Sequence, residues 1–328
     1  MKAAIVREFG RPPYYGDFVD PIPQPDETTV SVTAAAVSPV VRSRASGTHY
    51  SAGATLPFVP GVDGVGRTPD GRRVYFAFPQ PPFGSMAERA VISADRLVSL
   101  PAGLDDTTVA AAANPGMSCW LPLTLLAPIR PGESVLVNGA TGIAGRMAIQ
   151  VAKYLGARKV IATGRDEAKL RMLSELGADV ALPLGQPAET LHDAVRKETR
   201  DSEVGVVLDY LWGPSAETIL AAIGGPNAPR GASRIRYVQI GNSAGATISL
   251  AGSGLRSSGV EILGSGIGSF TDKDLLVGIN QFLKALFTAR FRIATDVRPL
   301  SDVERAWSEP VGEKRLVFTV PRVGFPAP

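Results

Sequence analysis

Three glycines recur at intervals of three residues, at Gly139, Gly142 and Gly145. They follow the short apolar run Ser134-Val-Leu-Val-Asn138 and precede a segment, from Ile143 to Leu155, with an apolar residue at every fourth position. This pattern predicts a strand, a tight turn and a helix. Glycines let the backbone of such a turn approach a pyrophosphate at the helix N-terminus, where unpaired N–H groups and the helix dipole favour negative charge.

The turn therefore predicts a dinucleotide-binding site, although its spacing is G-x-x-G-x-x-G rather than G-x-G-x-x-G. A glycine-rich turn alone is weak evidence, as Gly264-Ser-Gly-Ile-Gly268 in the same chain shows. The turn at 139–145 differs because a strand precedes it and a helix follows it. Its candidate cofactor-binding residues are Gly139, Thr141, Gly142, Ile143, Ala144 and Gly145.

The end of the second predicted strand, Val160-Ile-Ala-Thr163, indicates which dinucleotide binds. An NAD site needs a carboxylate there for the ribose 2′-hydroxyl, whereas this strand is followed by Gly164 and Arg165, with Lys169 one helical turn later. A guanidinium can pair two oxygens of a 2′-phosphate, so these three residues predict NADPH. The alternative is that Arg165 is a solvated surface residue and that Asp166, a natural helix N-cap, binds the ribose.

Composition excludes several other classes of protein. The 328 residues are 45% hydrophobic and 20% charged, and the 34 basic and 31 acidic residues are scattered without a basic run, so nucleic acid is not a favoured partner. No apolar segment reaches the roughly 18 residues of a membrane span, and residues 1–7 resemble a first strand rather than a secretion signal. The single cysteine, Cys119, excludes internal disulfides and suits a reducing compartment. We therefore expect a cytoplasmic protein that does not bind membranes.

The chain changes character twice along its length. Residues 1–113 are rich in Val, Thr, Gly and Pro and predict short strands and turns. Residues 114–265 alternate strand and helix patterns, which is typical of an α/β fold with a doubly wound parallel sheet. In residues 266–328 we expect one long helix, from Asp272 to Arg290, and then two strands that rejoin the N-terminal domain.

The order of these parts resembles the medium-chain dehydrogenase/reductase superfamily along essentially the full chain, and within it the zinc-free quinone oxidoreductase branch. The resemblance is carried by four motifs: Pro60-Gly-Val-Asp-Gly-Val-Gly66, Pro131-Gly-Glu-Ser-Val-Leu-Val-Asn-Gly-Ala-Thr-Gly142, Leu176-Gly-Ala-Asp179 and Tyr237-Val-Gln-Ile-Gly-Asn-Ser-Ala-Gly245. It implies a GroES-like β-barrel catalytic domain (1–113 and 266–328) around a Rossmann NADPH-binding domain (114–265), with the active site in the cleft. It also implies a homodimer formed through the last Rossmann strand, Val260-Glu-Ile-Leu263.

Zinc enzymes of this superfamily hold the metal with an early cysteine and a His-Glu pair. Here the His-Glu position is Val62-Asp63, no cysteine precedes Cys119, and the chain contains two histidines, His49 and His192. We therefore expect no zinc site. Without a Lewis acid, the natural chemistry is hydride transfer to an already activated small molecule, a quinone or an enone.

The resemblance also suggests residues of the acceptor pocket. Its relatives carry an Asn-Pro-x-Asp stretch that corresponds to Ser38-Pro-Val-Val41 here, so Ser38 keeps one hydroxyl and the polar pocket is otherwise lost. After Ser46-Gly47, either His49 or Tyr50 is a candidate to orient a carbonyl or to supply a proton. The alternative is that both residues only pack at the barrel rim.

Further candidates border the nicotinamide. Ser118 occupies the place of a threonine that relatives have near the nicotinamide amide, and Gly241 and Asn242 end a parallel strand, where ligands of open α/β sheets bind. Asn242 is otherwise a turn residue. Cys119 is expected to be buried and inert. Asp209 and Tyr210 close the predicted strand at 204–209 and are expected to face the cofactor crevice, where Tyr210 is a weak candidate.

The expected function is thus NADPH-dependent reduction of a quinone or an activated C=C bond. Two alternatives remain open. Reduction of an enoyl thioester would need a basic groove for the carrier, which the sequence does not show. The other alternative is a structural or RNA-binding protein that binds the cofactor but has little turnover. It stays open because the Ser38–Val41 segment lacks polar groups that the relatives carry there.

Overall fold

The computed structural model describes residues 1–49, 55–224, 234–310 and 312–321. The chain divides into two units, Met1–Asn114 with Asp272–Pro328 as unit 1, and Pro115–Thr271 as unit 2. Within the described ranges, no helix combines the length and the apolar character needed to span a bilayer.

The described strands are numbered in chain order. They are β1 (Lys2–Ile5), β2 (Tyr14–Asp17), β3 (Glu27–Ala36), β4 (Asp63–Arg67), β5 (Arg73–Ala77), β6 (Arg89–Ser93), β7 (Leu97–Ser99), β8 (Ser134–Asn138), β9 (Val160–Gly164), β10 (Val180–Pro183), β11 (Val204–Asp209), β12 (Ile235–Gln239), β13 (Val260–Gly264), β14 (Thr295–Pro299) and β15 (Arg315–Thr319). The helices are α1 (Pro39–Ala45), α2 (Asp106–Leu121), α3 (Ile143–Tyr154), α4 (Glu167–Met172), α5 (Ala188–Ser202), α6 (Gly213–Gly224), α7 (Gly252–Arg256), α8 (Asp272–Ala289) and α9 (Val303–Ser308).

Unit 1 is built on a seven-stranded sheet in the order β14-β15-β3-β4-β5-β7, with β6 paired to β3. All its pairs are antiparallel except β14 with β15. Because β15 pairs with β3, the C-terminal segment completes the sheet that the N-terminal residues begin. Val30 and Val32 on β3 and Phe318 on β15 are buried in the core of this unit.

Unit 2 contains six parallel strands in the order β10-β9-β8-β11-β12-β13. Every residue of β8 and β11 is buried, as expected for central strands covered on both faces. The strand order reverses its direction between β8 and β11, which is the switch point where such sheets bind ligands at their carboxyl ends. The predicted doubly wound α/β fold is confirmed.

Two elements of the fold were missed by the sequence patterns. The strand β10 is short and buries only Leu182 well, so its hydrophobic pattern is weak. The helix α2 continues through Asn114-Pro115-Gly116, a combination that normally predicts a helix break. Its neighbouring residues are nevertheless buried, and tertiary packing overrides the local preference.

A buried ion pair lies at the amino-terminal end of the unit 2 sheet, the end opposite to the carboxyl ends of its strands. One guanidinium nitrogen of Arg236, on β12, lies 2.5 and 2.6 Å from the two carboxylate oxygens of Glu133, just before β8. The same guanidinium donates to the carbonyl oxygens of Pro128 (2.6 Å) and Gly205 (3.2 Å). The two side chains are only 7% and 12% exposed, so each charge depends on the other for compensation.

Candidate active site

The glycine turn lies between β8 and α3, at the switch point of the unit 2 sheet. Gly139 has φ of +88°, a backbone conformation that favours glycine. A Cβ on Gly145 would lie 2.5 Å from the Gly139 carbonyl oxygen and 2.6 Å from the Cα of Ala140, so the helix packs directly on the turn. A Cβ on Gly142 would lie 3.7 Å from its nearest neighbouring atom, an ordinary contact distance, so a larger residue would fit at this position.

The start of α3 is open to a ligand. Gly142 is the N-cap residue and has no side chain to accept from the helix. The first backbone N–H groups of a helix have no acceptor within it, so those of Ile143 and Ala144 suit the oxygens of a pyrophosphate. Thr141 lies in the turn just before Ile143 and Ala144. A Cβ on Gly164, at the end of β9, would lie 2.5 Å from the methyl group of Thr141. The turn, the helix start and the end of β9 are therefore in close contact.

A buried polar network holds this turn in place. The Thr163 hydroxyl accepts from the Gly139 N–H (3.2 Å) and donates to the Asn138 side-chain oxygen (2.6 Å). The Asn138 amide then donates to the Asp209 carboxylate (2.7 Å) and to Ser215 (3.0 Å). The network thus connects the carboxyl ends of β8, β9 and β11.

The carboxylate of Asp209 extends the network to the next strand. It accepts from the backbone N–H groups of Leu211 (2.9 Å) and Trp212 (3.1 Å) and from the Tyr237 hydroxyl (2.7 Å). Asp209 was expected to face the cofactor crevice, but neither Asn138 nor Asp209 was predicted to hold the turn. The signal was available, because both are polar residues that close otherwise apolar parallel strands.

The end of β9 carries the residues predicted to select the cofactor. Arg165 is exposed and forms no hydrogen bond or ion pair with the residues that the structure describes. Asp166 is the N-cap of α4, and its side chain accepts from the Lys169 N–H at 3.1 Å. The predicted capping role of Asp166 is therefore confirmed. The Lys169 ammonium lies 3.8 Å from the same carboxylate. The Arg165 guanidinium is thus available to an anion, and together with the turn it fits a 2′-phosphorylated dinucleotide.

Ser118 lies in the last turns of α2, less than one helical turn after Pro115. Its hydroxyl oxygen lies 2.7 Å from the Pro115 carbonyl oxygen and 3.2 Å from the hydroxyl of Tyr210, the residue that follows β11. The neighbouring Cys119 is fully buried, and burial raises the pKa of its thiol far above the usual value. Its thiol is therefore not a nucleophile at neutral pH.

Gly241 and Asn242 follow β12 at the same edge of the sheet. A Cβ on Gly241 would lie 2.6 Å from the Tyr210 carbonyl oxygen, so the two segments touch through their backbones. Asn242 is exposed, and its main-chain carbonyl oxygen accepts from the Gly245 N–H at 3.3 Å in a tight turn. The cofactor role of Asn242 stays a prediction.

In unit 1, two of the predicted acceptor residues lie at opposite ends of the short helix α1. Ser38 is 1% exposed and is the N-cap of this helix, its hydroxyl accepting from the Val41 N–H at 3.3 Å. His49 follows the other end of the helix, and burial, with the positive charge of Arg44, lowers the pKa of its imidazole. Tyr50 lies outside the described residues. A shared role of Ser38, His49 and Tyr50 at an acceptor therefore stays a prediction.

Asp63 stands where zinc-dependent members of the superfamily carry the glutamate of the His-Glu pair. Its carboxylate is 3% exposed and accepts from the Tyr75 hydroxyl at 3.0 Å, while its other oxygen has no hydrogen-bond partner among the described residues. Burial raises the pKa of Asp63 to about 6, against the opposing effects of the buried Arg315 charge and the Tyr75 hydrogen bond. Across the described ranges, no group of three or more His, Cys, Asp or Glu side chains is arranged to hold a metal ion.

The stabilising effect of the protonated Asp63 carboxyl is expected to disappear as the pH rises through about 6. A carboxyl whose pKa is higher in the folded than in the unfolded chain binds its proton more tightly when the chain is folded. Its contribution to the free energy of unfolding is therefore fully present below the unfolded pKa and is lost as the pH rises through the folded pKa. Asp63→Asn removes this titration. The free energy of unfolding of the wild type minus that of the variant should fall between about pH 4 and about pH 6 and level off above the folded pKa. A difference that is constant over this range would contradict the assignment.

The fold and the turn can be compared with known proteins. Residues 144–275 match the family model described as zinc-binding dehydrogenase. Over 98% of its length the chain is 32% identical to a probable NADPH-dependent quinone reductase of Emericella nidulans, which it covers completely (100%). A quinone oxidoreductase of Thermus thermophilus, solved alone and with NADPH, aligns with a TM-score of 0.80 at 25% identity over 97% of this chain and 100% of that one.

A mycobacterial quinone oxidoreductase has a similar fold, with a TM-score of 0.83 at 23% identity over 97% of this chain and 99% of that one. The full-length match to the fungal relative agrees with the glycine turn and with the sheet order described above. The chain belongs to the quinone oxidoreductase-like branch of the medium-chain dehydrogenase/reductase superfamily.

Proposed function

We propose that this protein transfers hydride from NADPH to a quinone or an enone, without a zinc ion. The observation that carries the proposal is the open helix start at the Gly139–Gly145 turn, with the exposed Arg165 guanidinium just after the end of the neighbouring strand. The relative from Emericella nidulans is named a probable NADPH-dependent quinone reductase, and the Thermus thermophilus enzyme was solved in complex with NADPH.

The residues of unit 2 would bind and orient the cofactor. The N–H groups of Ile143 and Ala144 would hold the pyrophosphate, and Gly139 and Gly145 keep the backbone close enough for this. Arg165, helped by Lys169, would pair the 2′-phosphate. When bound, NADPH supplies a hydride, and an acceptor with electron-poor carbon needs no metal to receive it.

The residues of unit 1 offer hydrogen bonds rather than strong acids. The Ser38 hydroxyl accepts from Val41 and keeps its own hydrogen to donate. Because the pKa of His49 is lowered, its imidazole is neutral at pH 7 and can donate one hydrogen bond to a carbonyl oxygen. We propose that Ser38, His49 and Tyr50 orient the acceptor and that the proton which follows the hydride comes from water or from one of these weak acids.

We also propose that two copies of the chain pair through β13. This strand lies at one edge of the unit 2 sheet, and Ile262 on it is 37% exposed. An edge strand without proline can add the same strand of a second copy about a two-fold axis.

The proposed reaction is tested by the loss of NADPH absorbance with 1,4-benzoquinone and, separately, with but-3-en-2-one. We expect NADPH to be consumed with at least one acceptor, and we expect prior treatment with EDTA to leave the rate unchanged. A rate abolished by EDTA and restored by zinc would overturn the metal-free proposal. Tight NADPH binding without oxidation by either acceptor would instead favour a cofactor-binding protein with little turnover.

A further inference from the structure

Tyr210 lies across the switch point from the glycine turn. The sheet order β9-β8-β11 puts Arg165 on one side of the turn, after β9, and Tyr210 on the other, after β11. A dinucleotide with its 2′-phosphate at Arg165 and its pyrophosphate at the turn therefore extends its second nucleoside towards the end of β11. This inference rests on the proposed function, and it places Tyr210 beside the nicotinamide half of the cofactor.

The backbone around Tyr210 is firmly held. Its N–H donates to the Asn138 carbonyl oxygen at 3.1 Å, next to the glycine turn itself. The two residues that follow, Leu211 and Trp212, donate their N–H groups to the Asp209 carboxylate. The polar network that holds the turn thus also fixes the start of the Tyr210 side chain.

Counting hydrogens assigns the direction of each bond at the Ser118–Tyr210 pair. The single hydroxyl hydrogen of Ser118 serves the short bond to the Pro115 carbonyl oxygen (2.7 Å). The bond between the two hydroxyls (3.2 Å) must then be donated by Tyr210. Burial raises the pKa of the Tyr210 phenol well above its usual value, so this hydrogen stays in place at neutral pH.

Once both hydrogens are used, only acceptor capacity remains. Ser118 keeps one lone pair, and the Tyr210 oxygen keeps its own. Ser118 and Tyr210 are each only partly buried as residues, so neither is fully enclosed by the protein. The pair therefore suits an N–H donor and is unsuited to a carbonyl oxygen or an anion.

We propose that the hydroxyl oxygens of Tyr210 and Ser118 together accept hydrogen bonds from the carboxamide NH₂ of the nicotinamide. Tyr210 is thereby a cofactor-binding residue that helps to set which face and which rotation of the ring are presented to the acceptor. A cofactor analogue in which an acetyl group replaces the carboxamide keeps the carbonyl but lacks the NH₂, so it cannot make these bonds.

The test is calorimetric titration of the full-length protein with NADPH and with its reduced 3-acetylpyridine analogue. Wild type should bind NADPH more tightly than the analogue. Tyr210→Phe should weaken NADPH by about threefold to tenfold, the effect of one lost hydrogen bond, and should leave the affinity for the analogue unchanged. Ser118→Ala should act in the same direction, and Ser118→Thr should retain the wild-type preference.

Tyr154→Phe is the matched control, because Tyr154 lies at the far end of α3 and is 48% exposed. It should change neither affinity. Equal weakening of NADPH and of the analogue by Tyr210→Phe, or no weakening of either, would overturn the inference. If wild type binds 2′,5′-ADP but shows no preference between the two dinucleotides, the carboxamide contact fails while the proposed cofactor site stands. If it binds none of these ligands, the proposed function fails as well.

Discussion

Glu133→Ala is expected to lower the free energy of unfolding by about 3–5 kcal/mol, the usual effect of removing one partner from a buried ion pair. The guanidinium of Arg236 would keep its bonds to Pro128 and Gly205 but would lose both carboxylate oxygens. At 7% exposure it has little access to water that could replace them. The measurement is urea unfolding followed by circular dichroism.

Glu167→Ala is the control for this experiment. Glu167 pairs with Arg171 at 3.9 Å, and both side chains are well exposed. Its removal should change the free energy of unfolding by no more than about 0.5 kcal/mol. The double variant Glu133→Ala with Arg236→Met should recover part of the loss, because it removes the uncompensated charge. A loss for Glu133→Ala no larger than that of the control would show that the buried pair is not needed.

Arg165→Ala is expected to weaken NADPH by about 10-fold to 100-fold, which corresponds to the loss of hydrogen bonds to a charged group. The affinity for NADH should stay nearly the same, since NADH has no 2′-phosphate. Binding of both cofactors can be followed by calorimetry. The matched control is Arg171→Ala, an exposed arginine on α4, the helix that follows Arg165, which should change neither affinity.

The competing assignment gives the opposite result in this experiment. If Asp166 binds the ribose hydroxyl, Asp166→Ala should weaken NADH strongly and Arg165→Ala should weaken both cofactors equally or not at all. Asp166→Ala also removes the N-cap of α4, so its effect on stability must be measured alongside. Selective loss of NADPH affinity in Arg165→Ala would support the 2′-phosphate assignment.

The sequence by itself determined the features that depend on residues close together in the chain. The strand β8, the glycine turn and α3 occupy one continuous stretch, and their periodicity and glycines follow from local geometry. The Asp166 cap is local too, since it needs only the N–H three residues later. The alternation of strands and helices was sufficient to predict a parallel, doubly wound sheet, because parallel strands require crossover connections.

Tertiary structure alone decided which distant groups meet. The Asn138–Asp209 bond joins residues 71 positions apart, and the Ser118–Tyr210 contact spans 92. These pairs depend on strand order, which brings β8 beside β11 and the end of α2 beside Tyr210, and no local pattern encodes that order. The orientation of each hydroxyl hydrogen follows only once the partners are known. The sequence therefore predicted a dinucleotide site at the glycine turn, whereas the assembled sheet decided which side chains hold the turn and which hydroxyls meet at the end of β11.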